Sequence, residues 1–371
     1  VVNAVTGQSL AIVSPVKGTT TDPVYKTMEL LPIGPVMIID TPGIDDEGTL
    51  GEQRVKKTRQ VLNKTDVAVL VVDGTTGMNG ADEELIHLFK EKGIPYIIAL
   101  NKSDLCTVCS YGADEPYIWV SAKEKSGIYG LKEKIVRLAV TEAPERRIVA
   151  DLIQPGDFVV LVVPIDSAAP KGRLILPQQQ TIRDILEADA VSIVVKDSEL
   201  KQTLEELGKK PEIVITDSQA FRKVSADTPP HILLTSFSIL FARYKGNLES
   251  TVRGVRALDE LKDGDRILIS EGCTHHRQCD DIGTVKIPRW IEAYTGKRFQ
   301  YEWSSGTEFP EDLNGYGLII HCGGCMLNER EMKYRQKCAE EQGVPMTNYG
   351  ILIAHTQGIL KRSLEPFPDI L

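Results

Sequence analysis

Short apolar, β-branched runs alternate with amphipathic stretches along nearly the whole chain. Val36–Ile39, Val67–Val72, Tyr96–Leu100 and Tyr117–Val120 read as buried strands, and Glu52–Leu62, Asp82–Lys92 and Ile128–Val140 as helices. This alternation predicts a parallel sheet with crossover helices. A polar, proline-bearing stretch, Glu142–Arg147, then serves as a linker. A second set of strand-like runs follows at Phe158–Pro164, Val191–Val195, Glu212–Thr216 and Ile232–Leu234. Helical patterns at Gln178–Ala188, Asp197–Leu207 and Ser218–Val224 separate them. Beyond these, Phe237–Tyr244 reads as a helix with Phe237, Leu240, Phe241 and Tyr244 on one face. Ile267–Ser270, Leu318–Ile320 and a run near Ile351–Ala354 read as strands, and Pro288–Thr295 as a helix. The expectation is an α/β protein of three domains, 1–147, 148–236 and 237–371.

Composition narrows the class. The 371 residues suit two or three domains, and 42% hydrophobic with 26% charged residues is ordinary for a globular protein. A net charge of −9 argues against a nucleic-acid surface, which needs clustered Lys and Arg. The longest apolar runs fall far short of the ~20 residues of a membrane helix, so no membrane partner is expected. Seven cysteines in a chain this long do not form a secreted disulfide framework. The expectation is a cytoplasmic protein with reduced thiols, some of them metal ligands.

Chemistry-bearing residues of the first domain sit at strand ends, where α/β sheets bind ligands. Asp40-Thr41-Pro42-Gly43 follows one strand; its carboxylate can hold Mg2+ through water, and the amide of Gly43 can approach a terminal phosphate. Asn101-Lys102-Ser103-Asp104 follows another. The Asp104 carboxylate can accept the paired N–H groups of guanine, which adenine lacks. Ser121-Ala122-Lys123 would support the base from behind, and Thr20, in a loop ahead of the first strand, can give a hydroxyl to Mg2+. In this order the motifs resemble a small GTPase domain of the translation-factor-like class, near its tRNA-modification and Era-like members. One departure is plain: no Gly-x-x-x-x-Gly-Lys-Ser/Thr occurs in the chain, and that loop's amides and lysine carry phosphate binding. The expectation is that the sequence begins after its first strand and phosphate loop, and that these residues alone hydrolyse GTP poorly. The pair Cys106 and Cys109 reads as incidental loop thiols. The middle domain carries no nucleotide fingerprint and is expected to supply a subunit contact.

The last domain holds two sulfur-bearing turns. Leu318–Ile320 runs into His321-Cys322-Gly323-Gly324-Cys325, and Ile267–Ile269 leads to Cys273-Thr274-His275. Two glycines between cysteines permit positive φ and close backbone approach. Together the turns offer Cys273, Cys322 and Cys325 as thiolates, with His275 and His321 beside them; Cys279 and Cys338 are alternatives. Soft sulfur ligands select zinc or an iron–sulfur cluster.

Over nearly its whole length the chain resembles the HydF family, the GTPase maturation factors of FeFe-hydrogenase. The Cys273-Thr274-His275 and His321–Cys325 motifs, downstream of a GTPase domain and a motif-free middle domain, carry the resemblance. It implies a 4Fe-4S cluster on three cysteines, and GTP/GDP turnover stimulated by K+. It also implies a diiron precursor bearing CO and cyanide as cargo. The partners implied are a second copy of the chain through the middle domain, two radical-SAM enzymes that build the precursor, and apo-FeFe-hydrogenase that receives it. The rival reading is an Era-like GTPase acting on RNA or the ribosome, with a structural zinc site.

Overall fold

The computed structural model describes residues 1–7, 23–41, 58–106, 116–142, 146–165, 172–273, 281–306 and 308–370. They form two compact units, Val1–Glu145 and Arg146–Leu371.

In the first unit, β1 (Val24–Leu30) and β2 (Gly34–Asp40) pair antiparallel. β3 (Ala68–Asp73), β4 (Tyr96–Asn101) and β5 (Tyr117–Trp119) form a parallel sheet in that order. Helices α1 (Gly80–Glu91) and α2 (Ile128–Glu142) connect and flank its strands. β4 is buried on both faces. Ile98 and Leu100 join Leu70, Val72 and Phe89 on one side, while Ile97 and Ala99 join Val120 and Leu131 on the other. This is why its sequence reads as a continuous apolar run. α1 starts sharply because Asn79 and Asp82 cap it reciprocally, each side chain accepting the other's backbone N–H at 3.0 and 2.9 Å. The sequence suggests that Val36–Ile39 joins the parallel sheet. It lies instead in the hairpin, where β1 alternates half-buried with exposed positions throughout and β2 does so until its last three residues, all half-buried, the pattern of a ribbon with one solvated face.

The second unit has two parallel four-stranded sheets. One has the order β7-β6-β8-β9, from β6 (Phe158–Val162), β7 (Val191–Val195), β8 (Ile213–Thr216) and β9 (Leu233–Ser236). Its crossovers are α3 (Leu176–Glu187), α4 (Leu200–Glu206) and α5 (Phe221–Asp227). α6 (Phe237–Lys245) and α7 (Leu248–Val255) lead to the other sheet. That sheet is built from β10 (Arg266–Glu271), β11 (Gln300–Ser305), β12 (Tyr316–His321) and β13 (Met346–Asn348), in the order β11-β10-β12-β13. α8 (Ile287–Thr295), α9 (Glu329–Glu341) and α10 (Tyr349–Thr356) complete it. One apolar core runs from Ile148 to Phe367 and takes side chains from both sheets. No linker separates them. Ser236 ends β9 and its hydroxyl caps α6, accepting from the Ile239 amide at 3.3 Å.

The run Ile351–Ala354, expected as a strand, lies within α10. Asn348 turns the chain by accepting from the Ile351 amide at 2.8 Å, and the buried stretch Tyr349–Ala354 shows no polar face to distinguish it from a strand. The strand at that place is Met346–Asn348, three residues earlier.

Candidate functional site

In the first unit the in-register pairing of β3 with β4 sets Asp73 beside Asn101. The chain leaves β4 through Lys102, whose φ of +66° is unusual for a residue with a side chain. This kink brings two motifs together. Asn101 Oδ1 accepts from the Ala122 amide at 3.0 Å, and the hydroxyl of buried Ser121 donates to Asp104 Oδ1 at 2.6 Å. Ser121 Oγ in turn accepts from the Glu124 amide at 3.1 Å. The Ser121 hydrogen bond lowers the Asp104 carboxyl below its ordinary value, so it remains an acceptor for a base's N–H pair. Lys102 Nζ meets Asp73 Oδ2 at 2.6 Å, and Thr75 donates to the same carboxylate. The hydrogen bonds from Lys102 and Thr75 hold Asp73 down at about 2. Lys123 is exposed and pairs with Glu124 at 3.5 Å. Asp40 ends β2, on the hairpin and not on the sheet that carries the other motifs, and burial pushes its carboxyl up. Thr20 and Gly43 lie outside the described residues, as do His275, Cys109 and Cys279.

The sulfurs gather at the ends of β10 and β12. These strands are parallel neighbours with Ser270 opposite His321, and the Cys322 amide donates to Ser270 O at 2.9 Å. The turn carrying Cys273 therefore starts beside the turn carrying Cys322 and Cys325. The Cys322 Sγ accepts from the Gly272 amide at 3.0 Å and the Gly324 amide at 3.4 Å. Glycine is required at both donors. A Cβ on Gly272 would lie 2.7 Å from Leu327, and Gly324, at φ +62°, would meet Met332 at 2.7 Å. Burial, then the neighbouring Cys322 and Cys325, push the Cys273 thiol up to about 12. Burial also pushes Cys322 up to about 11 against its two amide donors. The three sulfurs thus feel one another's charge. Without a metal Cys273 and Cys322 are held as thiols, so a metal must displace their protons to bind.

His321 ends β12 and is fully buried. Its Nε2 lies 3.0 Å from Arg335 Nη1 and its Nδ1 2.8 Å from Cys322 O. A guanidinium only donates, so Nε2 accepts and Nδ1–H donates to the carbonyl. Burial and the Arg335 charge push the imidazole down to about 3. Both ring nitrogens are engaged by protein groups.

Among the described residues no three His, Cys, Asp or Glu side chains converge closely enough to hold a single metal ion. A cubane accepts thiolates at separate corners and takes N–H bonds on its sulfur ligands, as Cys322 offers here. The donor set, soft sulfurs with two N–H groups aimed at Cys322, fits an iron–sulfur cluster.

Two family models match the second unit. Residues 148–246 match the model described as Hydrogen maturase F dimerization domain. Residues 249–366 match the Hydrogen maturase F tetramerization domain, the two together covering more than half the chain. The chain belongs to the hydrogen maturase F family.

Residues 1–102 match the model described as 50S ribosome-binding GTPase, so the family's two oligomerisation domains here follow a GTPase domain. Similarity to other GTPases is confined to part of each chain. The tRNA modification GTPase MnmE of Paraburkholderia xenovorans is 33% identical over 148 residues, 38% of this chain and 32% of that protein. GTPase Era of Crocosphaera subtropica is 31% identical over 175 residues, 41% of this chain and 55% of that protein. The chain thus spans between a third and just over half the length of these relatives. A crystal structure of Era with MgGDPNP and a piece of 16S ribosomal RNA overlaps 52% of this chain and 86% of that one, at 19% identity and a TM-score of 0.34. No helix among the described residues is long and apolar enough to cross a membrane.

Several residues in this hydrogen maturase F chain escaped the sequence reading. Lys245 closes α6 and is buried, its Nζ donating to Gly324 O, Cys325 O and Leu327 O at 3.0, 3.0 and 2.6 Å. Arg335 is wholly buried and holds Glu331 at 2.8 Å, Gly306 O at 2.7 Å and Ser270 Oγ at 3.3 Å besides His321. Lys245 had one legible signal, a cation four residues past Phe241 on an apolar helical face. Arg335 had none, because α9 is charged all round. Cys338 lies half-buried on α9, and Cys106 donates weakly to Lys102 O at 3.5 Å.

Proposed function

We propose that this chain is a GTP-binding scaffold and carrier for hydrogenase maturation. It would hold a 4Fe-4S cluster on Cys273, Cys322 and Cys325, receive a diiron precursor bearing CO and cyanide as cargo, and deliver it to apo-FeFe-hydrogenase. Two radical-SAM enzymes would supply the cargo. The observation that carries the reading is the junction of two parallel strand ends that sets the Cys273 turn beside a Cys322 sulfur already met by two backbone amides. When bound, the cluster supplies an iron with an exchangeable position to which cargo attaches. The chain's own residues do the rest. Gly272 and Gly324 direct N–H groups at sulfur, while His321 holds the Cys322 carbonyl and serves as an orienting group. His275 remains a candidate beside Cys273.

In the first unit Asn101, Lys102 and Asp104 would bind guanine, backed by Ser121, Ala122 and Lys123. Thr20, Asp40 and Gly43 would handle Mg2+ and the terminal phosphate of GTP, with K+ as activator. Hydrolysis to GDP would time partner exchange. The rival, a GTPase acting on RNA with structural zinc, draws on the likeness to MnmE and Era, which stops with the GTPase domain and leaves the sulfur turns unexplained.

Anaerobic iron and sulfide reconstitution followed by activation of apo-hydrogenase tests the reading. Cys322→Ser is expected to lose the cluster's visible absorption and the activation while retaining nucleotide binding. Unaltered activation by that variant rejects the carrier role, and a colourless protein that takes only zinc returns the rival.

A further inference from the structure

Lys245 donates simultaneously to three backbone carbonyls of the cysteine-bearing turn. Three converging hydrogen bonds from one nitrogen need three protons, so the geometry calls for the ammonium and leaves no proton for transfer. The side chain is 8% exposed, so little water screens its charge. Its nearest ring is Phe241, one turn back on α6, at 5.4 Å. A buried cation without a carboxylate among these contacts is costly unless negative charge arrives. Thiolates ligating an iron–sulfur cluster would bring that charge.

We propose that Lys245 is the resident counter-charge of the metal site: its ammonium anchors the Gly324–Leu327 backbone and offsets the negative charge of the ligated sulfurs, setting how firmly the cluster is held and how readily it is reduced. The proposal rests on the cluster reading above. It makes Lys245 a positioning residue, since it touches the ligand loop through carbonyl oxygens. Its place is also significant. α6 starts at the sheet of the matched dimerization domain and ends at the cysteine turn, so one short helix joins the two.

The full-length chain, its Lys245→Met variant (neutral, similar length) and its Lys245→Arg variant (charge kept) separate the roles. Hydrogen exchange of amides 323–328 in metal-free protein should quicken in Lys245→Met. After anaerobic reconstitution, that variant should hold iron against a chelator about 10–100-fold less firmly, the usual cost of losing an outer-shell partner. Its cluster midpoint, followed by electron paramagnetic resonance, should move to more negative potential, because removal of a nearby positive charge disfavours the reduced state. Lys245→Arg should restore the potential. A packing role alone would not move the potential. Wild-type midpoint and iron retention in Lys245→Met overturn the proposal, as does Lys245→Arg matching Lys245→Met. If Lys245→Met fails to fold, Lys245→Gln carries the same comparison. Should the wild-type chain take up no iron, the cluster reading itself falls, and unchanged amide exchange in Lys245→Met then rejects the anchor as well.

Discussion

Arg335 illustrates how a single side chain ties chemistry to stability. It is fully buried, and its guanidinium serves Glu331, His321, Ser270 and Gly306 at once. Removing it leaves the nearly buried Glu331 carboxylate unpaired. Breaking a buried pair from one side costs about 3–5 kcal/mol. At about 2–4 °C per kcal/mol for a unit of this size, Arg335→Met should lower Tm on the order of 10 °C by calorimetry. Arg335→Met combined with Glu331→Leu should recover much of it; equal losses in both variants would contradict this account. In the first unit, Asp73 is depressed to about 2 by Lys102 and Thr75. A carboxyl whose folded value lies below its unfolded value of ~3.9 stabilises the fold above the unfolded value and stops doing so as pH falls through the folded one. The stability difference between wild type and Asp73→Asn should therefore be constant above pH ~4 and shrink from there towards pH ~2. A difference that stays flat across that window in urea titrations would show the pair to be inconsequential.

At the scale of elements, what the sequence could reveal depended on whether a periodicity was unique to one structure. Strands β6 to β10 and β12 of the two large sheets were legible because each is a short apolar run bounded by turn residues. Phe237–Tyr244 was legible because its apolar face repeats at helical spacing. Ile351–Ala354 was misread because a helix buried on all sides has no such repeat. β11 and the Val24–Leu30 strand were passed over because edge positions carry polar residues such as Gln300, Glu302, Lys26 and Glu29. The sulfur turns were found by composition, yet Lys245, which serves one of them, is 80 residues from Cys325 in sequence and only the fold brings it near. Gly272 tests whether strand ends must meet this closely. Gly272→Ala forces its methyl against Leu327 at 2.7 Å, and overpacking of this kind costs about 1–3 kcal/mol. Its Cys322 amide bond should be strained and the iron bound per chain should drop, as read by metal analysis. Full iron content with unchanged Tm would mean the turn yields freely.

For the molecule as a whole, the family's two named domains, dimerization and tetramerization, fall on the unit Arg146–Leu371. Light scattering should accordingly return a mass well above the 41.0 kDa of one chain, and a strictly monomeric solution at micromolar concentration would count against that assignment. The continuous core beneath both sheets has a practical corollary for anyone dissecting this protein. Because Ser236 passes the chain from one sheet directly into the helix serving the other, a scission between residues 236 and 237 would not liberate two finished modules. It would strip Phe237, Leu240 and Phe241 of the neighbours that keep them dry, and each fragment would present a greasy, aggregation-prone wound.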